Sequence, residues 1–210
     1  MENNGGNYMK PRLIINQKLT AFVNKYTVYA VNEVGQQGEL VALAQQKRMA
    51  IKEKVLFYSD EQKSAEVFSF RAERVMDVHG RYFVEDTNGN VIGMFRKEFK
   101  KSLLRSSWVL INAEGTELMR VQESNETLAA LRRFIGFVPL VGELLDIILA
   151  FFRYHFSFIS LDTGEEVGTF RKQTLFRDHY LLSMTDEAYA KLDWKVFAAA
   201  GVGLDALQSR

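Results

Sequence analysis

The sequence predicts a mainly β protein: an antiparallel meander closed on itself, with a thin hydrophobic helix at its C-terminal end and an inserted helical hairpin. Three observations carry this. Short runs that mix β-branched and aromatic residues recur along most of the chain, separated by turn-forming clusters. The stretch from Lys191 to Leu207 carries no charge between Val196 and Leu204, so as a helix it is apolar all round and must be buried. Residues 125–153 interrupt the strand rhythm with a long apolar segment.

The strand-like runs begin after a polar, glycine-bearing tail, residues 1–10, expected to be disordered. RLIINQKL, AFVNKYTVYAV, ELVALAQQ and KVLFYS come first, with turns at Asn32 to Gly38 and Ser59 to Gln62. VFSFRAERV, RYFVED, NVIGMFRKEF, SSWVLIN and TELMRVQE follow, then YHFSFISLD, EEVGTFRKQT and HYLLSM after the insertion. Hairpins at this spacing favour a meander, and closing the sheet removes its exposed edges. The domain is expected to span residues 11–210, with a central helix over 189–207. That helix contains Ala198-Ala199-Ala200-Gly201-Val202-Gly203. Two interior glycines cost about 1 kcal/mol each, which argues that neighbours press closely on it from every side.

Composition bounds the class. The 210 residues are 47% hydrophobic and 25% charged, with a formal net charge of +1, as expected of one globular domain with a full core. No global attraction to polyanions follows from that charge. The absence of cysteine excludes disulfides, thiolate metal sites and a cysteine nucleophile. MENNGGNYMK lacks the pattern of a secretory signal, so the expected location is cytoplasmic, with peripheral membrane attachment open.

A repeat links two distant hairpins. Asn90-Val91-Ile92-Gly93-Met94-Phe95-Arg96-Lys97 and Glu166-Val167-Gly168-Thr169-Phe170-Arg171-Lys172 share hydrophobic-Gly-x-Phe-Arg-Lys, each after an Asp-Thr-(Asn)-Gly turn. The direct reading is a duplicated structural unit in which glycine admits close backbone approach and phenylalanine fills the core.

Two further stretches point outward. Arg96, Lys97, Lys100, Lys101 and Arg105 form a basic run with Glu98 as its only acid. Each such charge near an anionic leaflet is worth about 1 kcal/mol, whereas a solvated loop is the structural alternative. No aromatic platform interleaves with the run, so nucleic acid is not expected. From Phe134 to Phe152 the chain holds 13 strongly apolar residues in 19, with Glu143 and Asp146 near the middle. On the insertion scale the two acids cancel the apolar gain, roughly 5–7 against 4–8 kcal/mol, so a spanning helix is not expected. Instead a hairpin broken near Phe137 to Gly142 presents Phe134, Phe137, Leu144, Ile148, Phe151 and Phe152 to a membrane interface, the barrel wall or a partner.

Catalytic patterns are missing. His79, His155 and His179 are dispersed, with no metal-ligand spacing, and there is no Gly-x-Ser-x-Gly elbow or P-loop. A non-enzymatic module without cofactor or metal is the expectation.

Taken together, LIINQKLTAFVNKYTVYAV, NGNVIGMFRKEF and LDWKVFAAAGVGLDAL resemble the first hairpin, middle strands and terminal helix of the tubby C-terminal-like superfamily. The closest resemblance is to its LURP-one-related and phospholipid-scramblase-like branches. It implies a closed barrel of about twelve antiparallel strands around a central hydrophobic helix. It also suggests peripheral binding of anionic phospholipid, with lipid scrambling left open; the family's lipid-contacting basic residues have no one-by-one counterparts here, and the basic run and the hairpin are the contacts the sequence itself offers. The alternative is a structural or protein-interaction domain in which the 134–152 hairpin forms a homodimer or partner interface. The chain departs from scramblase-like members in having no cysteine. Its acids beside the terminal helix, Asp186, Glu187 and Asp193, suit helix-end charge better than a calcium site, which takes six to eight oxygens.

Overall fold

The computed structural model describes residues 9–19, 23–47, 54–73, 80–98, 107–124, 155–174 and 178–208. These form β1 (Lys10–Leu19), β2 (Val23–Val31), β3 (Gln37–Lys47), β4 (Lys54–Tyr58), β5 (Glu66–Ala72) and β6 (Arg81–Glu85). Then come β7 (Val91–Glu98), β8 (Ser107–Asn112), β9 (Glu117–Glu123), β10 (Phe156–Ser160), β11 (Glu166–Lys172) and β12 (Asp178–Met184). Two helices follow, α1 (Asp186–Lys191) and α2 (Trp194–Gln208). Every strand pairs antiparallel with its sequence neighbours, and β1 pairs with β12, so the sheet is a closed twelve-strand barrel.

Up-and-down order gives the barrel two unlike ends. At the turn end, β2–β3, β4–β5, β6–β7, β8–β9 and β10–β11 are joined by short turns. Local side-chain acceptors hold them: Asn32 takes the Gln36 amide at 2.8 Å, Asp60 that of Ser64 at 3.0 Å, and Asn112 that of Thr116 at 2.7 Å. Asp86 accepts from both Asn88 and Asn90 at 2.8 Å, and Gly89 closes its turn at φ 83°, a conformation that costs a residue with a Cβ. At the other end, here the connector end, leave the links β1–β2, β3–β4, β5–β6, β7–β8, β9–β10 and β11–β12.

α2 enters at the turn end and runs through the lumen. Trp194 meets Phe68 edge-on at 5.7 Å, and every residue from Val196 to Leu204 is buried, as an all-apolar helix requires. The helix is thin where the wall is thick. A Cβ on Gly203 would stand 2.9 Å from the Phe95 ring, and one on Gly201 would stand 2.9 Å from Ile15 and 3.2 Å from Phe170. The reverse holds at Gly93, where a Cβ would meet Val196 at 2.7 Å; Gly168 takes the Met184 thioether in the same way. The repeat is therefore a packing device. Each phenylalanine faces a helix glycine, and each repeat glycine leaves room for a side chain. Tyr82 stacks on Phe95 at 4.9 Å and Tyr180 on Phe170 at 5.0 Å, reinforcing the same layer.

The helical segment begins earlier than expected and in two pieces. Thr185 caps α1, accepting the Ala188 amide at 3.2 Å, and Leu192 then turns extended at φ −146°. Asp193 starts α2 by accepting the Lys195 amide at 2.9 Å. Lys10, placed by sequence in the tail, is already in β1. Residues 1–8 and the 125–153 insertion lie outside the described residues.

Candidate functional site

The basic run divides as soon as it enters β7. Neighbours along a strand point to opposite faces, and Gly93 and Phe95 point inward. Lys97 therefore lies on the inward side at the connector end, its ammonium 5.7 Å from the Trp108 ring centre. Arg96 points outward and pairs with Glu117. Glu98, also outward, takes Arg120 at 3.0 Å and the Ser107 hydroxyl at 3.0 Å. Since β8 lies between β7 and β9, these two ion pairs cross it. Val109, in register with both Arg96 and Arg120, is fully buried beneath the crossing although it points out of the barrel. Long stems with charged heads cover apolar surface in this way. Arg96 is thus committed to the wall, and Lys97 is held against an aromatic ring. Lys100, Lys101 and Arg105 lie outside the described residues, as do Phe134, Phe137, Leu144, Ile148, Phe151 and Phe152.

Their points of attachment are nonetheless fixed. The segment carrying Lys100 to Arg105 leaves β7 after Glu98 and returns at Ser107; the insertion leaves β9 after Ser124 and returns at His155. Ser107 pairs with both Glu98 and Gln122, and Phe156 pairs with Glu123. Both segments therefore spring from the connector end, from four consecutive strands, β7 to β10.

At the turn end the acids named from sequence have structural partners. Asp186 binds Lys10 at 2.5 Å and also Arg12. These hydrogen bonds and charges hold its carboxyl below the usual range, against a smaller opposing effect of desolvation. The Arg12 guanidinium also lies 4.9 Å over the Tyr189 ring, and burial pushes that phenol up. The cluster pins α1 to β1 beside the β1–β12 seam. Sequence carried no sign of it, because Lys10 and Asp186 are 176 positions apart. Glu187 pairs with Lys191 at 2.8 Å. No group of three metal-ligating side chains occurs among the described residues.

The lumen is occupied by α2, from Val196 to Leu204. A cleft of about 30 Å³, lined by Ser160, Thr163, Glu165, Glu187 and Lys191 among others, lies between α1 and the turn end of the wall; it holds about one water. His179, on β12 near the connector end, has its pKa lowered by burial. Among the described residues no helix is long and apolar enough to cross a membrane.

Searches among curated proteins and among solved structures gave no match. The LURP-one-related family model matches residues 40–202, from within β3 to Val202 in α2. β1 and β2 precede this span, yet the structure makes them adjoining strands of the same closed wall. With most of its length and its barrel-and-helix architecture covered, the chain belongs to the LURP-one-related family, within the tubby-like superfamily.

Proposed function

We propose that this barrel is a non-enzymatic module that binds anionic phospholipid surfaces peripherally through its connector end. The observation that carries the reading is the common origin of two segments. The basic stretch 99–106 and the apolar insertion attach to adjacent hairpins at one end, so electrostatic and hydrophobic contacts would meet the same surface. The filled lumen argues against a ligand held inside the barrel. The insertion carries Arg132 and Arg133 just before its apolar run, a composition that suits the headgroup boundary, where basic residues flank apolar ones.

The division of the basic run decides which residues to test. Lys97 lies against Trp108 and Arg96 is paired with Glu117, so reversing either disturbs the wall as well as the charge. Lys100→Glu with Lys101→Glu is the cleaner change. Partitioning onto phosphatidylserine-containing vesicles is expected to fall at least tenfold, at about 1 kcal/mol per charge, with the unfolding temperature unchanged. Equal partitioning of variant and parent would remove this stretch from the contact.

A further inference from the structure

We propose that the barrel wall has a built-in seam between β3 and β4, and that the β4–β5 turn is the strap that holds it shut. This goes beyond the lipid reading and does not depend on it. Strand register is the first observation. β3 and β4 pair at Leu43–Tyr58 and Ala44–Phe57 alone, the shortest ladder in the wall. On the connector side of this neck, Gln45 to Lys47 pair with β2 and Lys54 to Leu56 pair with β5, but the two runs do not pair with each other. On the turn side, Gln37 and Leu40 of β3 likewise have ladder partners in β2 and none in β4.

Side chains add little grip across the seam from inside. The inward residues of β3 at the neck are Ala42 and Ala44, both fully buried. The rings opposite are engaged with their own hairpin: Phe57 stacks on Phe68 of β5 at 4.0 Å and lies 6.1 Å from Phe70. Dispersion grows with the number of atoms in contact. A methyl group on one side therefore holds less than the ring pairs that join β6 to β7 and β11 to β12.

Outside, the seam is bridged. After Tyr58 the chain turns, closed by the Ser59 amide on the Ala65 carbonyl at 2.9 Å and by Asp60, which accepts the Ser64 amide at 3.0 Å. From this turn Glu61 takes Lys25 of β2 at 2.6 Å, passing over β3. Lys25 stands opposite Gln45, on the connector side of the neck, so the ion pair spans it. Leu43, at the neck and pointing outward by alternation, has no exposed surface. Lys63 fastens the turn to its own strand, its ammonium 5.5 Å over the Tyr58 ring. The hydrogen bond and charge of Lys25, with a smaller contribution from Lys18 opposite it, hold the Glu61 carboxyl below the usual range. Arg96–Glu117 and Glu98–Arg120 also cross a strand, but the ladders on both sides of β8 are long. Lys25–Glu61 crosses where one ladder is almost absent. When the strap lets go, β3 parts from β4 while the long β1–β12 ladder keeps β1 to β3 attached.

Residue-resolved amide exchange of the native protein tests this. The amides bridging β3 and β4 are expected to exchange faster than those bridging β8 and β9, because they open locally. Glu61→Ala and Lys25→Met each remove the ion pair of the strap, and each should speed β3–β4 exchange about two- to fivefold. The first leaves Lys18 facing Lys25 and the second does not, so a shared response belongs to the strap and not to lysine repulsion. Glu117→Ala is the control: it removes an ion pair that opening of this seam does not break, and β3–β4 exchange should hold at the parent rate. Equal protection of the two ladders in the parent chain overturns the seam, as does an equal response of β3–β4 exchange to Glu117→Ala. An unchanged β3–β4 rate in either strap variant overturns the strap.

Discussion

Ala199→Asp is expected to abolish folding. Ala199 lies midway along the buried part of α2 and has no exposed surface, and the wall around it is lined by Phe57, Phe68, Phe95, Phe158 and Phe170. An unpaired carboxylate there costs several kcal/mol even after the protein relaxes, and the added volume must displace packed aromatic rings. A domain of ordinary stability has only about 5–15 kcal/mol to lose. The wall cannot simply release the helix, because Val196 to Leu204 are buried, their side chains in the same core cluster as the aromatic residues that line it, which would be left without packing partners. Soluble yield and near-ultraviolet circular dichroism check this. A variant with native spectrum and midpoint would mean that α2 is not the filling of the lumen.

Phe95→Ala is expected to destabilise the protein by about 3–5 kcal/mol, lowering the midpoint by roughly 10 °C for a domain of this size. The ring is buried between Tyr82 and Phe70, at 4.9 and 5.4 Å, and presses on Gly203 from the wall side. Gly203→Ala sets two effects against each other. It gains about 1 kcal/mol of helix propensity and meets Phe95 at 2.9 Å, a clash whose cost is about 1–3 kcal/mol. In the parent chain the clash wins, so the variant is destabilised. In the Phe95→Ala background the space is vacant and the same change should stabilise. Urea unfolding of the four chains measures the coupling, and strict additivity would show that ring and glycine do not share the contact.

The two halves of this interlock were legible in the sequence separately, a crowded helix and a repeated Gly-x-Phe unit, but not their pairing. An uncharged run with glycines in its interior can be stable only if buried and crowded; that the Gly-x-Phe repeat supplies the crowding depends on contacts between residues about 30 to 110 positions apart, which only the fold brings together. The strand runs were legible for a similar reason: β-branched and aromatic residues bounded by Asn, Asp and Gly state a local preference that the barrel also satisfies. The start of the helix was less clear, because Leu192 and Asp193 continue the apolar and polar pattern while breaking the backbone path. The basic run misled in one respect. Its residues are neighbours in sequence, and as a turn they would project together; once Arg96 and Lys97 belong to β7, alternation sends them to opposite faces.

What sequence could not reveal depends on register. Lys18 and Lys25, Lys54 and Arg71, and Arg81 and Arg96 become pairs only when each hairpin is aligned. The crossing of β8 by Arg96–Glu117 and Glu98–Arg120 likewise needs three strands in place. The two-ended character of the barrel follows from its topology, since alternate connections fall at opposite ends. That property joins a basic stretch and an apolar insertion that are separate in sequence.

The most direct test of a connector end that binds anionic lipid is flotation of the purified protein with neutral and with phosphatidylserine-containing liposomes, at low and at high salt. The account predicts that the protein floats with anionic liposomes alone at low salt and is largely released at high salt, because exposed charges are screened there. Failure to float with either liposome at low salt would contradict it.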